Sequence, residues 1–244
     1  MSIPMEVDPS QIPVEAIPFE HGLANFAQRL KAKAQAKIVA IGSSTTSGHR
    51  DVKPYPERLK KLLHDQYRDV TIEVVNKGIN GQEAPAELER FDRDVFAEKP
   101  DLVIWQVGTN TVWQPPDHIP PPPTLEATLD AIREGLARLV AYPRADVIMM
   151  DLQYVPAVLT PAKIGKATIM VREIGKAAQV AGVNVFRRFA FMKALHEVEK
   201  ISFDRMVNPE DDDRLHDSDW VTGRISWALK QAIVGGIKKA QLGV

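Results

Sequence analysis

The sequence predicts an α/β protein: a three-layer α/β/α sandwich around a doubly wound sheet of about five parallel strands. Three observations point there. Short apolar runs of strand length alternate with longer segments of helical period along most of the chain, the alternation that builds a parallel sheet with helices on both faces. Residues 102–107 form a largely apolar run, as in a strand covered on both sides. Several of these runs end at glycine or asparagine turns, at Gly42, Asn76 to Gly81 and Gly108 to Asn110.

In chain order, residues 1–20 are proline-rich at first and read as an extended N-terminal arm, and residues 21–244 as a single domain. Residues 37–41 are a buried strand ending at Gly42, and residues 55–67 a helix with Leu59, Leu62, Leu63 and Tyr67 on one face. Residues 70–75 are the second strand, followed by a helix over 82–96 packed through Leu88 and Phe91. The third strand, 102–107, leads into a proline-dense loop over 111–123, after which Thr124 caps a helix presenting Leu125, Leu129, Ile132, Leu136 and Leu139. A fourth strand at 147–150, a long helix at 164–181, a fifth strand at 183–186 after Gly182 and a final helix from about Ser218 complete a flavodoxin-like pattern. In such open sheets ligands bind beyond the carboxyl ends of the strands.

Composition narrows the function classes. The 244 residues are 44% hydrophobic and 26% charged, with a formal net charge of −1. That is ordinary for a globular protein, and with no basic patch it leaves no footprint for nucleic acid. The absence of cysteine excludes disulfides and thiolate catalysis. No run reaches membrane-spanning length, and the N-terminal residues lack a basic n-region and an apolar h-region. The expectation is a cytoplasmic protein, or an exported one whose signal peptide has been removed. Nothing in the pattern bears on oligomeric state.

Two segments carry the chemistry: Gly42-Ser43-Ser44-Thr45-Thr46-Ser47-Gly48 after the first strand, and Asp213-Arg214-Leu215-His216 before the last helix. A serine hydroxyl becomes a nucleophile only when a base takes its proton. Of the six histidines, only His216 combines a loop position, a local aspartate and a place just before a helix. Asp213 can accept the proton of one ring nitrogen and so aim the other at Ser44. An acyl-transfer site also needs donors for the oxyanion. The candidates at the strand ends are the backbone N–H groups of Ser44 and Gly81 and the side-chain amide of Asn110. Each element has a plainer use, since Ser/Thr runs cap helices, Asn80-Gly81 is a turn signal and acidic loops are commonly just solvated.

Taken in order, the block at 42–48, Asn76-Lys77-Gly78-Ile79-Asn80-Gly81, Gly108-Thr109-Asn110 and Asp213-Arg214-Leu215-His216 resemble the four blocks of the SGNH, or GDSL-type, esterase and acylhydrolase family. The resemblance runs from about Lys37 to the final helix. It implies a serine esterase without cofactor or metal, in which Ser44 is the nucleophile, His216 the base with Asp213 behind it, and Ser44, Gly81 and Asn110 the oxyanion hole. The chain departs from the family where Ser43 replaces the usual aspartate and where Thr111 replaces the acidic residue often found after Gly-Thr-Asn. Ser43 is the nucleophile if the turn is shifted by one.

The substrate expected is a small-molecule or carbohydrate ester. Trp113 and His118, in the stiff loop after Asn110, wall its pocket, with His49 opposite. Competing readings are a non-catalytic carbohydrate-binding relative, an FMN-binding electron-transfer protein using Gly42 to Gly48 as a phosphate cradle, and a metal-dependent hydrolase built on Asp211, Asp212, Asp213 and His216.

Overall fold

The structure, a computed structural model, describes residues 18–243. Most of the expected N-terminal arm, up to residue 17, lies outside these residues. Five strands form one parallel sheet: β1 (Ala36–Gly42), β2 (Ile72–Gly78), β3 (Leu102–Gln106), β4 (Asp146–Met150) and β5 (Asn184–Phe186). Their order is β2-β1-β3-β4-β5, so the chain winds outward one way and then the other, and the order reverses beside β1. The expected three-layer sandwich is present. β3, flanked by β1 and β4, is buried at every residue, which accounts for its apolar run.

Helices cover both faces. α1 (Ala24–Lys31), α3 (Tyr55–Gln66) and α11 (Asp219–Leu242) pack as one group. α4 (Ala84–Glu89), α7 (Leu125–Val140) and α8 (Ile164–Ala181) pack as the other, and α9 (Arg188–Glu197) and α10 (Phe203–Met206) follow β5 in the chain. Their caps follow from local chemistry. Thr124 Oγ1 accepts the Ala127 N–H at 3.1 Å at the start of α7, and Ser218 Oγ accepts that of Val221 at 3.2 Å at the start of α11, each satisfying a donor the helix leaves open.

Two segments differ from the sequence expectation. The helix expected over 82–96 is broken at Arg90 into α4, α5 (Phe91–Asp94) and a single 3-10 turn, Phe96–Glu98. Arg90, φ −104° and ψ 8°, is turned inward, and its guanidinium donates to Gln82 Oε1, Asp94 Oδ2 and the carbonyls of Lys77 and Gly42. These tertiary bonds outweigh helix continuity. The expected loop over 111–123 begins instead as a short helix, α6 (Thr109–Trp113), before the proline-rich stretch.

The register sets the site. Gly42 pairs with Gly78, Ile41 with Trp105 and Gln106 with Met150. β1, β2 and β3 therefore finish level with one another, and the turns that follow them meet at one edge.

Candidate active site

β1 ends at Gly42, and Ser44 opens the four-residue helix α2 (Ser44–Ser47). Three neighbours fix this turn. Gln106, the last residue of β3, presents Oε1 to the Ser43 N–H at 3.1 Å and to the hydroxyls of Ser43, Thr45 and Thr46 at 3.1, 3.0 and 3.2 Å. Asn76 of β2 donates from Nδ2 to the Thr46 carbonyl at 2.7 Å. Gly78 completes the clamp by having no side chain, since a Cβ there would run into the Ser47 backbone.

Behind the turn lies Arg188, buried to 1% exposure. It donates to Thr45 Oγ1 at 3.2 Å, Gln153 Oε1 at 2.8 Å and the Asp151 carbonyl at 3.0 Å. Gln153 passes the connection on to the Leu215 carbonyl at 3.3 Å, so one buried cation ties the serine turn to the histidine loop. Burial pushes the nearby carboxyls up, Asp151 to about 7 and Asp217 to about 6, with Arg188 opposing the shift in both.

The histidine loop brings His216 Nε2 to 3.1 Å from Ser44 Oγ. The carboxylate on the far side of the ring is Asp211, whose Oδ2 lies 3.1 Å from His216 Nδ1. This corrects the sequence expectation of Asp213. The chain turns back over 211–214, with the Arg214 N–H on the Asp211 carbonyl at 2.9 Å and Arg214 in the left-handed region at φ 53°. Asp213 is left exposed at the tip of the turn. Asp211 folds underneath and also accepts the backbone N–H groups of Leu215 and His216, at 2.7 and 2.6 Å.

Burial of Asp211 works against ionisation, yet the two backbone donors and the His216 ring outweigh it and hold the carboxyl below its ordinary value. An ionised carboxylate only accepts, so Nδ1 carries the proton and donates to it. Nε2 is then a lone pair facing the Ser44 hydroxyl. Burial first, and His49 second, lower the pKa of His216 against the pull of Asp211 and Asp213, favouring the neutral ring whose Nε2 lone pair can take a proton.

On the opposite wall, Gly108 adopts φ 97°, a turn that needs glycine, and sends the chain into α6 with Asn110 in its first turn. Asn110 Nδ2 donates one hydrogen to the Gln82 carbonyl at 2.8 Å, which leaves its second N–H available. Glu83 fastens this wall. Its carboxylate, fully buried, accepts the N–H groups of Gly108 at 2.7 Å, Thr111 at 3.1 Å and Ala84 at 3.0 Å. Burial raises its pKa against those donors. The Thr111 hydroxyl is buried against that of Thr128 at 2.7 Å.

Ser44, His49, Gly81, Asn110, Trp113, His118 and His216 all line one cavity of about 680 Å³, whose lining also includes Pro120 to Pro123. The structure thus gathers every expected site residue except Asp213. Sequence reading passed over Gln106 and Glu83; a polar residue ending an apolar strand and an acid two places after a turn glycine were the available signals.

His49, Asp211 and His216 hold donor atoms within 4.8 Å of one another, but they do not form a metal cage. The two imidazoles are stacked face to face, 3.6 Å apart and 3° from parallel. Their in-plane lone pairs run along parallel planes instead of converging on one ion, and Asp211 Oδ2 is already engaged.

Comparison with known proteins places the chain in a wider group. Residues 9–239 match the non-GDSL lipase-like family. An acetylxylan esterase from Geobacillus stearothermophilus is 43% identical over 53 residues, which are 22% of this chain, and the chain spans about a quarter, 24%, of that relative's length. A solved mutant of an acetyl-xylooligosaccharide esterase from the same organism superposes with a TM-score of 0.66 at 23% identity, covering 84% of this chain and 96% of that one. An α/β-hydrolase enzyme from the metagenome of Lake Arreo, Spain, gives 0.65 at 20% identity, with 83% and 98% covered. At these identities the structural likeness speaks for the fold.

Proposed function

The chain belongs to the non-GDSL lipase-like family, and on that premise we propose that it hydrolyses carboxylic esters with Ser44 as nucleophile. The observation that carries the reading is the line of contacts from Ser44 Oγ to His216 Nε2 and from His216 Nδ1 to Asp211, each 3.1 Å. A neutral, oriented imidazole at that distance is what a serine hydroxyl requires in order to attack a carbonyl carbon.

His216 Nε2 takes the Ser44 proton as Oγ bonds to the ester carbon. The carbonyl oxygen becomes an oxyanion, which accepts hydrogen bonds from the backbone N–H groups of Ser44 and Gly81 and from Asn110 Nδ2. The first N–H groups of α2 have no partner within the helix, which suits that of Ser44 to the role. Collapse of the adduct breaks the bond to the alcohol oxygen, which leaves with the proton from His216. Water then repeats the sequence on the acyl-enzyme and releases the acid. Asp211 stays ionised throughout and stabilises the imidazolium formed in each half.

The substrate proposed is a short acyl ester, O-acetyl groups on a carbohydrate being the preferred class. Trp113, which also packs against the core, offers a ring edge and face on the wall. His118 is held by its Nδ1 to the Pro120 carbonyl at 2.9 Å, leaving Nε2 for a hydroxyl. A cavity of about 680 Å³ lined by polar side chains such as Asn80, Gln82, Asn110 and Gln114 beside Trp113 and the prolines suits a sugar ring with a small acyl group. The related acetylxylan esterase supports the same class.

The test pairs a fluorophosphonate probe with a panel of chromogenic esters from acetyl upward and acetylated sugars. The wild type should be labelled and should prefer the shortest acyl group, and Ser44→Ala should lose both labelling and turnover. Labelling that persists in Ser44→Ala would remove the nucleophile assignment. A wild type that binds acetylated sugar without turnover would make it a non-catalytic relative.

A further inference from the structure

We propose that His49 is a positioning residue for the base: stacked flat on His216, it holds that ring in the plane joining Asp211 to Ser44 and disfavours a positive charge there. The inference rests on the roles given above to Ser44, His216 and Asp211. The rings lie 3.6 Å apart and 3° from parallel, so one whole face of the base is covered. His49 reaches this position under backbone constraint, directly after Gly48 at φ 104° and in a bridge with Val52, whose N–H bonds its carbonyl at 3.2 Å. Its Nε2 is buried with no hydrogen-bond partner. An imidazole held without satisfying that nitrogen is not there for its own hydrogen bonding.

Two effects follow from the stack. His216 is bonded at both nitrogens and blocked on one face, so it cannot tilt out of the proton path. Two imidazolium rings at this separation would also repel strongly, and the covered face is denied water. His49 therefore acts with burial to keep His216 neutral, against Asp211 and Asp213, which favour its charged form. The other charged groups around the pair are not stacked on either ring. Asp217, held 3.9 Å from Arg188, lines the small cleft beside both histidines. Arg50, adjacent to His49, pairs with Glu210 at 3.4 Å. Glu83 and His118 contribute to the main cavity from the other walls.

The experiment compares pH profiles of kcat/KM for the wild type, His49→Phe and His49→Ala, together with imidazole NMR titration of His216 in the Ser44→Ala protein with and without His49→Phe. Phenylalanine keeps a stacked ring but takes away the second imidazole and offers a π face to the imidazolium. The acid limb and the NMR midpoint should both move up by about one pH unit. At alkaline pH, His49→Phe should turn over about ten-fold faster than His49→Ala, in which the base is free to tilt. Superimposable profiles and NMR midpoints, or equal alkaline rates for the two variants, overturn the proposal. A purely structural role would lower the melting temperature and the rate together and leave the limb in place. If the wild type proves inactive on every ester, the function proposed above fails, and the NMR titration alone still decides the stack.

Discussion

Exchanging Asp211 for asparagine removes the charge behind the base and little else in volume. In the structure Asp211 Oδ2 accepts three N–H groups, from Leu215, His216 and the His216 ring, at 2.7, 2.6 and 3.1 Å. A neutral amide offers one weaker acceptor oxygen, and its NH₂ group, if turned to the ring, selects the tautomer with Nε2–H pointing at Ser44. The base is then lost, and kcat should fall about 10⁴-fold, or about 5 kcal/mol of transition-state stabilisation. The charge-assisted bonds to the loop weaken as well, at a cost of about 2 kcal/mol in stability. Because the folded Asp211 carboxyl is held below its ordinary value, this stability is present above about pH 4 and is lost as pH falls through the lowered value. The deficit of Asp211→Asn should therefore close in acid. Asp213→Asn, at the exposed tip of the turn, should stay within a few-fold of wild type. Steady-state hydrolysis of a chromogenic acetate and thermal melts in steps from pH 7 down to about pH 2 read both effects. A crippled Asp213→Asn beside an active Asp211→Asn would refute the geometry.

Asn110→Ala removes one proposed oxyanion donor and should lower kcat by about 10²–10³-fold with little change in KM; a purely KM effect would place Asn110 in ground-state binding instead. Since burial and His49 lower the His216 pKa, kcat/KM should hold more than half its plateau at pH 6.5 and fall only as pH drops through that lowered value, and a limb centred above about 6.5 would contradict the burial argument. Gly78→Ala forces a methyl into the Ser47 backbone, so a stability loss of about 1–3 kcal/mol with a slowed acylation step is expected, measured by denaturant titration and burst kinetics.

The sheet was legible because strand and helix periods differ and the strands are buried on both faces. The helix at Ile164–Ala181 matched its expected range to the residue, since Gly182 supplies the left-handed cap at φ 67°. The helix over 82–96 was misread because its break at Arg90 is caused by carbonyls brought from Gly42 and Lys77, which no local pattern carries. The same distinction runs through the site. Ser44, His216, Gly81 and Asn110 stand at strand ends or in loops whose place follows from the fold. The partner of His216 depends on the direction of one tight turn, in which Arg214 adopts φ 53°, and the expectation of Asp213, three residues away, had no access to that turn. Glu83 and Gln106 stand out in the sequence only as polar residues beside a turn glycine and at a strand end, and their roles are not legible there because their partners are backbone N–H groups and hydroxyls of other segments, which sequence does not pair.

The proline stretch that lines the cavity lies outside the sheet, while the proposed reacting groups are tied to strand ends by Gln106, Glu83 and Arg188. On the function proposed above, reaction and recognition are mechanically separate parts. A designer could exchange residues 114–123 for a loop of another length or polarity and retarget the protein to a different alcohol, with the proton path untouched. Natural drift in that loop would diversify substrates by the same route, one scaffold serving many esters.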